Sequence, residues 1–192
     1  MTTDMATQSQ RQTEEEFQLA RQAPSDVGAF SELYRRNVTR VYRYHIAYCG
    51  NVKDAEDLTS QTFVAALEGI RSFRGTGSFA AWIMGIASKK RLMYFRGSRP
   101  EVPLEIVLHY PSPDLPTDKA ATQRLQLESV SRALRQISPD RAEAISLSYF
   151  GGLSNSEVSR VMNRGEAAVK MLISRGLQDL RERTSLALEV EL

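Results

Sequence analysis

The chain has 192 residues, 42% of them hydrophobic and 25% charged, with a formal net charge of +2. That is the composition of a globular protein with room for one ordinary domain or two small ones, and no run approaches the length of a membrane span. A single cysteine, Cys49, excludes an intrachain disulfide framework and fits a reducing cytosol; with only His45 and His109 besides, no structural zinc, and no metal or other cofactor, is expected.

Residues 1–12 are polar and lack an apolar core, which argues against a signal peptide and predicts a disordered tail. From about Thr13 the pattern turns helical, with Phe17 and Leu19 in a short helix that ends near Pro24. A longer helix from about Asp26 carries Phe30, Leu33, Tyr34, Val38, Val41 and Ile46 at helical spacing and closes at Gly50. Arg35, Arg36, Arg40 and Arg43 read as its solvated face. The next helix, Val52 to Ile70, has two apolar stripes. Ala55, Leu58, Thr62, Ala65 and Ala66 can pack inward, while Phe63, Val64 and Leu67 form a second stripe bordered by Glu56, Asp57, Ser60 and Gln61. An apolar centre with a polar rim suits a protein interface, although a helix sandwiched in a bundle would show the same pattern.

The stretch from Arg71 to Arg99 contains Arg71, Arg74, Lys89, Lys90, Arg91, Arg96 and Arg99 without one acidic residue. It also holds Phe73, Phe79, Trp82, Tyr94 and Phe95. Cations neutralise phosphates and aromatic faces accept unstacked bases, so this mixture points to single-stranded or opened nucleic acid. Ser78 is the expected N-cap of a helix running to about Phe95. On that helix Phe79, Ile83, Ile86, Ala87 and Met93 share the arc expected to be buried. Trp82, Lys89 and Arg96, each seven apart, border that arc, and Phe73 in the preceding loop can reach the same side.

Past Arg99 the composition changes. Residues 98–118 hold five of the seven prolines, with Glu101, Glu105, Asp114 and Asp118, and read as an extended acidic linker. A second domain begins with a helix from about Lys119 to Ile137, seamed by Leu127, Val130, Leu134 and Ile137. Ser138-Pro139 then opens another helix, in which Ala142, Ile145 and Tyr149 are expected to face inward before Gly151-Gly152. Ser154-Asn155-Ser156-Glu157 is a capping box with Leu153 and Val158 as its staple. The short helix that it starts ends at Asn163-Arg164-Gly165, and a long helix follows from Glu166 to about Arg183. Short helix, glycine-containing turn and long helix is the plan of a helix-turn-helix. Val169, Leu172, Ile173, Gly176, Leu177 and Leu180 make the buried arc, leaving Lys170, Met171, Ser174, Arg175 and Gln178 free for a major groove.

Taken together, these segments resemble a bacterial RNA polymerase sigma factor of the extracytoplasmic-function type, over about 30–96 and 134–183. The resemblance rests on FSELYRRNVTRVYRYHIAYCGNVKDAEDLTSQTF, on SFRGTGSFAAWIMGIASKKRLMYFR, and on LRQISPDRAEAISLSYFGGLSNSEVSRVMNRGEAAVKMLISRGLQDLRER. It implies an all-α fold in which a region 2 helical bundle (13–97) and a region 4 helix-turn-helix domain (119–184) flank the linker, with a C-terminal tail at 185–192. It implies core RNA polymerase, promoter DNA and an anti-sigma factor as partners, a cytoplasmic location and no enzymatic activity. Asp57, Ser60, Gln61, Phe63 and Leu67 would face polymerase. Phe73, Arg74, Trp82, Lys89, Lys90 and Arg96 would hold the separated −10 strand, and Arg164, Lys170, Met171, Ser174 and Arg175 would meet the −35 duplex. The sequence departs from the family where Asn and, four residues on, Asp are usual, since it has Lys89 and Met93. It departs again in the recognition helix, where the usual Thr-Val-Lys-Ser reads Ala168-Val169-Lys170-Met171.

Three other readings make different demands. A stand-alone helix-turn-helix regulator would bind its site without polymerase, usually as a dimer on a palindrome. A protein-interaction adaptor with a merely solvated basic face would show no salt-dependent DNA affinity. A metal-dependent nuclease would need more carboxylates or histidines beside Glu56 and Asp57 than the chain supplies.

Overall fold

A computed structural model describes residues 2–97 and 117–190, and no strand occurs among the described residues. Eight helices follow in order: α1 (Thr2–Gln22), α2 (Val27–Cys49), α3 (Val52–Gly69), α4 (Phe79–Phe95), α5 (Thr117–Gln136), α6 (Pro139–Ile145), α7 (Asn155–Met162) and α8 (Glu166–Val190). A 3₁₀ turn at Ile70–Ser72 extends α3, and a π turn at Ser146–Phe150 extends α6.

Local chemistry explains most of these boundaries. The Asp26 side chain accepts from the Gly28 N–H at the start of α2, and Gly50, left-handed at φ 71°, closes it. Asn51 caps α3 and Ser78 caps α4, each accepting the N–H three residues on. The ends of the chain differ from expectation. α1 begins at Thr2, so the stretch expected to be disordered continues a helix anchored further along by Phe17, Leu19 and Ala20. α8 likewise runs through the expected tail to Val190. Of the acidic linker, residues 98–116 lie outside the described residues.

The first module packs α2, α3 and α4 together with α1 across them; in the second α8 packs on α6 and α7, while α5 lies mainly against α2 and only marginally against α6 and α8. A single apolar cluster joins the two, running from Leu33, Val41 and Ile83 to Ile145, Leu147 and Val158. Three expectations about facing are corrected. Tyr149 is 62% exposed, because the wide turn closed by Gly151 N–H on the Ser146 carbonyl (2.9 Å) shifts the register and buries Leu147 instead. Val130 is exposed, and Ser131 takes its place in the seam of α5. Met93 is 42% exposed, since the C-terminal turn of α4 runs past the packed core.

His45 is sealed in the first module. The Thr62 hydroxyl donates to the Leu58 carbonyl (2.7 Å), so at 3.0 Å it accepts from His45 Nε2, which carries the ring proton. Nδ1 is buried with no partner among the described residues. Burial, helped by the Arg91 charge, lowers the pKa to about 3. The unfolded chain therefore binds a proton that the folded chain refuses. Stability is fully present above the ordinary histidine value and is lost as pH falls from there toward 3, by about 1.4 kcal/mol per pH unit within the window. Thermal melts between pH 7 and 4 should show this decline, and His45→Leu should flatten it.

Candidate nucleic-acid interface

The basic and aromatic stretch is built around an aromatic cluster. Phe73 lies edge-on to Phe79 with ring centroids 5.5 Å apart, and Trp82 is 5.5 Å from Phe73 and 5.3 Å from Phe79. Phe17 of α1 adds a fourth ring, 6.2 Å from Phe73. Phe79 is fully buried, whereas Phe73 and Trp82 are half-buried and pack against the core edge. Trp82 thus stands at the border of the buried arc, one face on the core edge and the other open. Gly75 fixes the loop beyond: its φ of 69° is left-handed, and a Cβ there would sit 2.4 Å from the Phe17 ring.

Arg74, Lys89 and Arg96 are exposed and Lys90 is half-buried; Arg74 follows Phe73 directly, whereas Lys89 and Arg96 lie about two and four helical turns along α4 from Trp82. Arg91 leaves the group: it is only 9% exposed, and its Nη2 lies 2.8 Å from Glu143 of the second module. Arg99 lies outside the described residues. On α3, Asp57 and Leu67 are exposed, and Ser60 and Gln61 are half-buried. Phe63 does not face outward. It is 2% exposed, because α3 lies between α2 and α4 and Tyr34 of α2 covers the ring at 4.6 Å.

In the second module the capping box is formed. The Ser154 hydroxyl accepts from the Glu157 N–H, and the Glu157 carboxylate accepts from the Ser154 N–H at 2.9 Å. Leu153 and Val158 are both buried beneath it, and Asn163, at φ 51°, turns the chain into α8. Burial pushes the Glu157 carboxyl up, but hydrogen bonds from Ser78 and Ser154 more than offset this and hold it below the usual carboxylate range. Ser154→Ala should cost about 1 kcal/mol and lower the melting temperature without altering the exposed face of α8.

Lys170, Met171, Ser174 and Arg175 are all exposed on α8. Lys170 and Ser174 line a shallow groove with Asn155 of α7 and Arg181 further along α8. Arg164 is exposed in the turn, but its guanidinium is 2.8 Å from Asp140, which neutralises it in part. Arg141 and Asp179 pair across α6 and α8 at 2.5 Å. Glu143 and Phe17 are the contributors that sequence reasoning missed. Nothing in the residues around either one marks a contact made so far along the chain.

Comparison with known proteins identifies both modules. Residues 33–101 match the family model for Sigma-70 region 2, and residues 127–180 match that for Sigma-70, region 4. The ECF RNA polymerase sigma factor BldN of Streptomyces coelicolor is 33% identical over 158 residues, covering 81% of this chain and 60% of BldN. SigE of Mycolicibacterium smegmatis is 28% identical over 159 residues, covering 80% of this chain and 61% of SigE. SigK of Mycobacterium tuberculosis is 26% identical over 168 residues, covering 85% and 89%. The chain therefore spans about 60% of the length of BldN and of SigE. In fold it is similar to CnrH in its complex with the cytosolic domain of CnrY, with a TM-score of 0.72 at 23% identity over 90% of this chain and 98% of that one. RpoE of Bartonella quintana, in complex with the anti-sigma factor NepR, aligns with a TM-score of 0.58 at 22% identity over 80% and 94%. With both regions matched in order, the chain belongs to the sigma-70 family as a member of the extracytoplasmic-function type.

Proposed function

We propose that this chain is a sigma factor: it binds core RNA polymerase and directs promoter recognition and opening, and is not itself an enzyme. The observation that carries the reading is the pairing, in one chain, of an aromatic cluster and the exposed cations Arg74, Lys89 and Arg96 with a capped helix-turn-helix exposing Lys170 and Arg175. The division of labour follows the modules. Within 13–97, Asp57, Ser60, Gln61 and Leu67 meet polymerase, and Phe63 supports that face from beneath. Phe73, Trp82, Arg74, Lys89, Lys90 and Arg96 hold the opened −10 strand, because stacking and phosphate neutralisation offset the cost of unstacking. Within 119–184, Lys170, Met171, Ser174 and Arg175 read the −35 duplex, with Arg164 at its edge.

A cytoplasmic location goes with this role, and no helix among the described residues is long and apolar enough to cross a membrane. The complex of RpoE with an anti-sigma factor supports a partner of that class here as well. In vitro transcription with core polymerase and a randomised promoter pool tests the proposal. Enrichment of templates sharing two spaced elements is expected. Tight duplex binding without polymerase, and no transcripts with it, would favour the stand-alone regulator.

A further inference from the structure

The loop that leads into α4 is held from outside by a helix to which the proposed function gives no part. Residues 73–77 lie between the 3₁₀ turn at Ile70–Ser72 and Ser78, the N-cap of α4. Burial alternates along them: Phe73, Gly75 and Gly77 are half-buried, whereas Arg74 and Thr76 are exposed. Glycines at 75 and 77 leave this stretch little conformational preference of its own, so a neighbour must fix it.

That neighbour is Phe17 of α1. Its ring stands edge-on to the Phe73 ring at 6.2 Å, and a Cβ placed on Gly75 would fall 2.4 Å from both Cδ2 and Cε2 of Phe17. The ring therefore rests directly on the Gly75 backbone, with no room for a side chain between them. Phe73, two residues earlier, is held between this ring and the Phe79 and Trp82 rings.

The helix that carries Phe17 is itself fixed. Glu16, the preceding residue, is 3% exposed, and its carboxylate accepts from Asn37 Nδ2 of α2 at 3.4 Å. The same nitrogen donates to the Leu33 carbonyl at 3.0 Å, which orients the amide. Arg36 of α2 pairs with Glu15 at 3.2 Å, and Ala20, one turn on from Glu16, is buried. α1 is thus anchored along α2 while it touches α4 and the 3₁₀ turn.

We propose that Phe17 is a positioning residue of the −10 reader: by seating Gly75 it sets where Phe73, Arg74 and Thr76 stand, and so sharpens which bases of the opened strand are accepted. The inference rests on the promoter reading of that loop and extends it to a ring that touches no DNA. With the loop already in place, a flipped base meets an ordered surface and the ordering cost does not fall on binding. Without the ring, the glycines free the loop, stacking must order it each time, and discrimination between bases weakens.

Open-complex formation with core polymerase on a promoter pool randomised at −10 tests this, read by permanganate reactivity and by sequencing the opened templates. Phe17→Ala should lower opening about tenfold and flatten the −10 base preference about fivefold, with −35 preference and polymerase affinity as in wild type. Phe17→Leu, which keeps an apolar anchor for α1, should move both readouts the same way by less, and it decides the matter if Phe17→Ala does not fold. Gly75→Ala gives the partner measurement. Its loss of opening should be at least threefold smaller in the Phe17→Ala background, where the clash is gone and only the strain of a positive φ remains.

A folded variant with a lower melting temperature but unchanged opening and base preference would make Phe17 a core residue and overturn the proposal. Better opening than wild type would overturn it too, since the ring would then be covering the stacking face of Phe73. Strictly additive effects of the two substitutions would sever Phe17 from the loop. If wild type opens no promoter in the pool, the promoter reading fails and the role of Phe17 falls with it, whereas coupled melting temperatures of the same variants would still establish the contact.

Discussion

Reversing the charge at Lys170 and Arg175 together is expected to weaken binding to the −35 duplex by about 100-fold or more near physiological salt. Both side chains are exposed on α8, and in the proposed mode each meets a phosphate or a base edge. A lost contact of this kind costs about 1–3 kcal/mol, and a carboxylate in its place adds repulsion. The logarithmic salt dependence should become shallower by about two phosphate contacts' worth, which separates lost electrostatics from misfolding. Fluorescence anisotropy on a labelled duplex over a salt series measures both quantities. Affinity for core polymerase should not change, because the polymerase-facing residues proposed on α3 belong to the other module. If duplex affinity and salt slope both stay as in wild type, α8 is not the reading helix.

Phe79→Ala should be the most damaging single truncation in the first module. The ring is fully buried, and both Phe73 and Trp82 rest on it at centroid distances of 5.5 and 5.3 Å. Removing a buried aromatic ring costs about 3–5 kcal/mol, from lost transfer energy and from the cavity left behind. The melting temperature should fall by many degrees, and promoter opening, followed by permanganate reactivity at −10, should be lost even where the protein remains folded. Trp82→Ala provides the contrast. Half-buried, it should cost less stability, yet it should impair opening more than duplex binding, because its exposed face is what a flipped base would stack upon. If Trp82→Ala opens promoters as well as wild type does, Trp82 only supports the core.

How much could be read without coordinates depends on how far along the chain each interaction reaches. Caps and turns act within four residues. Asp26, Gly50, Ser78, Ser154 and Glu157 were therefore legible as helix ends, and the helix-turn-helix followed from its capping box and turn. Periodicity also placed Leu33, Val41, Leu58, Ile83 and Val169 in the core, since each lies within an unbroken helical repeat. The pattern failed where the repeat itself changed. The π turn after α6 moved Tyr149 out to solvent, and no residue in it announces the extra backbone unit.

Local order, the sequence of modules and the exposed face of α8 were thus set by the sequence alone, because short-range hydrogen bonds and a repeating apolar stripe encode them. Which of two apolar stripes is covered, and which cation is withdrawn from the basic group, was decided only by tertiary packing. Phe63 is hidden because Tyr34 happens to lie over it, and Arg91 is withdrawn from the exposed basic residues by Glu143, more than fifty residues away along the chain. A buried charge selects its partner through space, by desolvation and geometry, and no spacing along the chain records that choice.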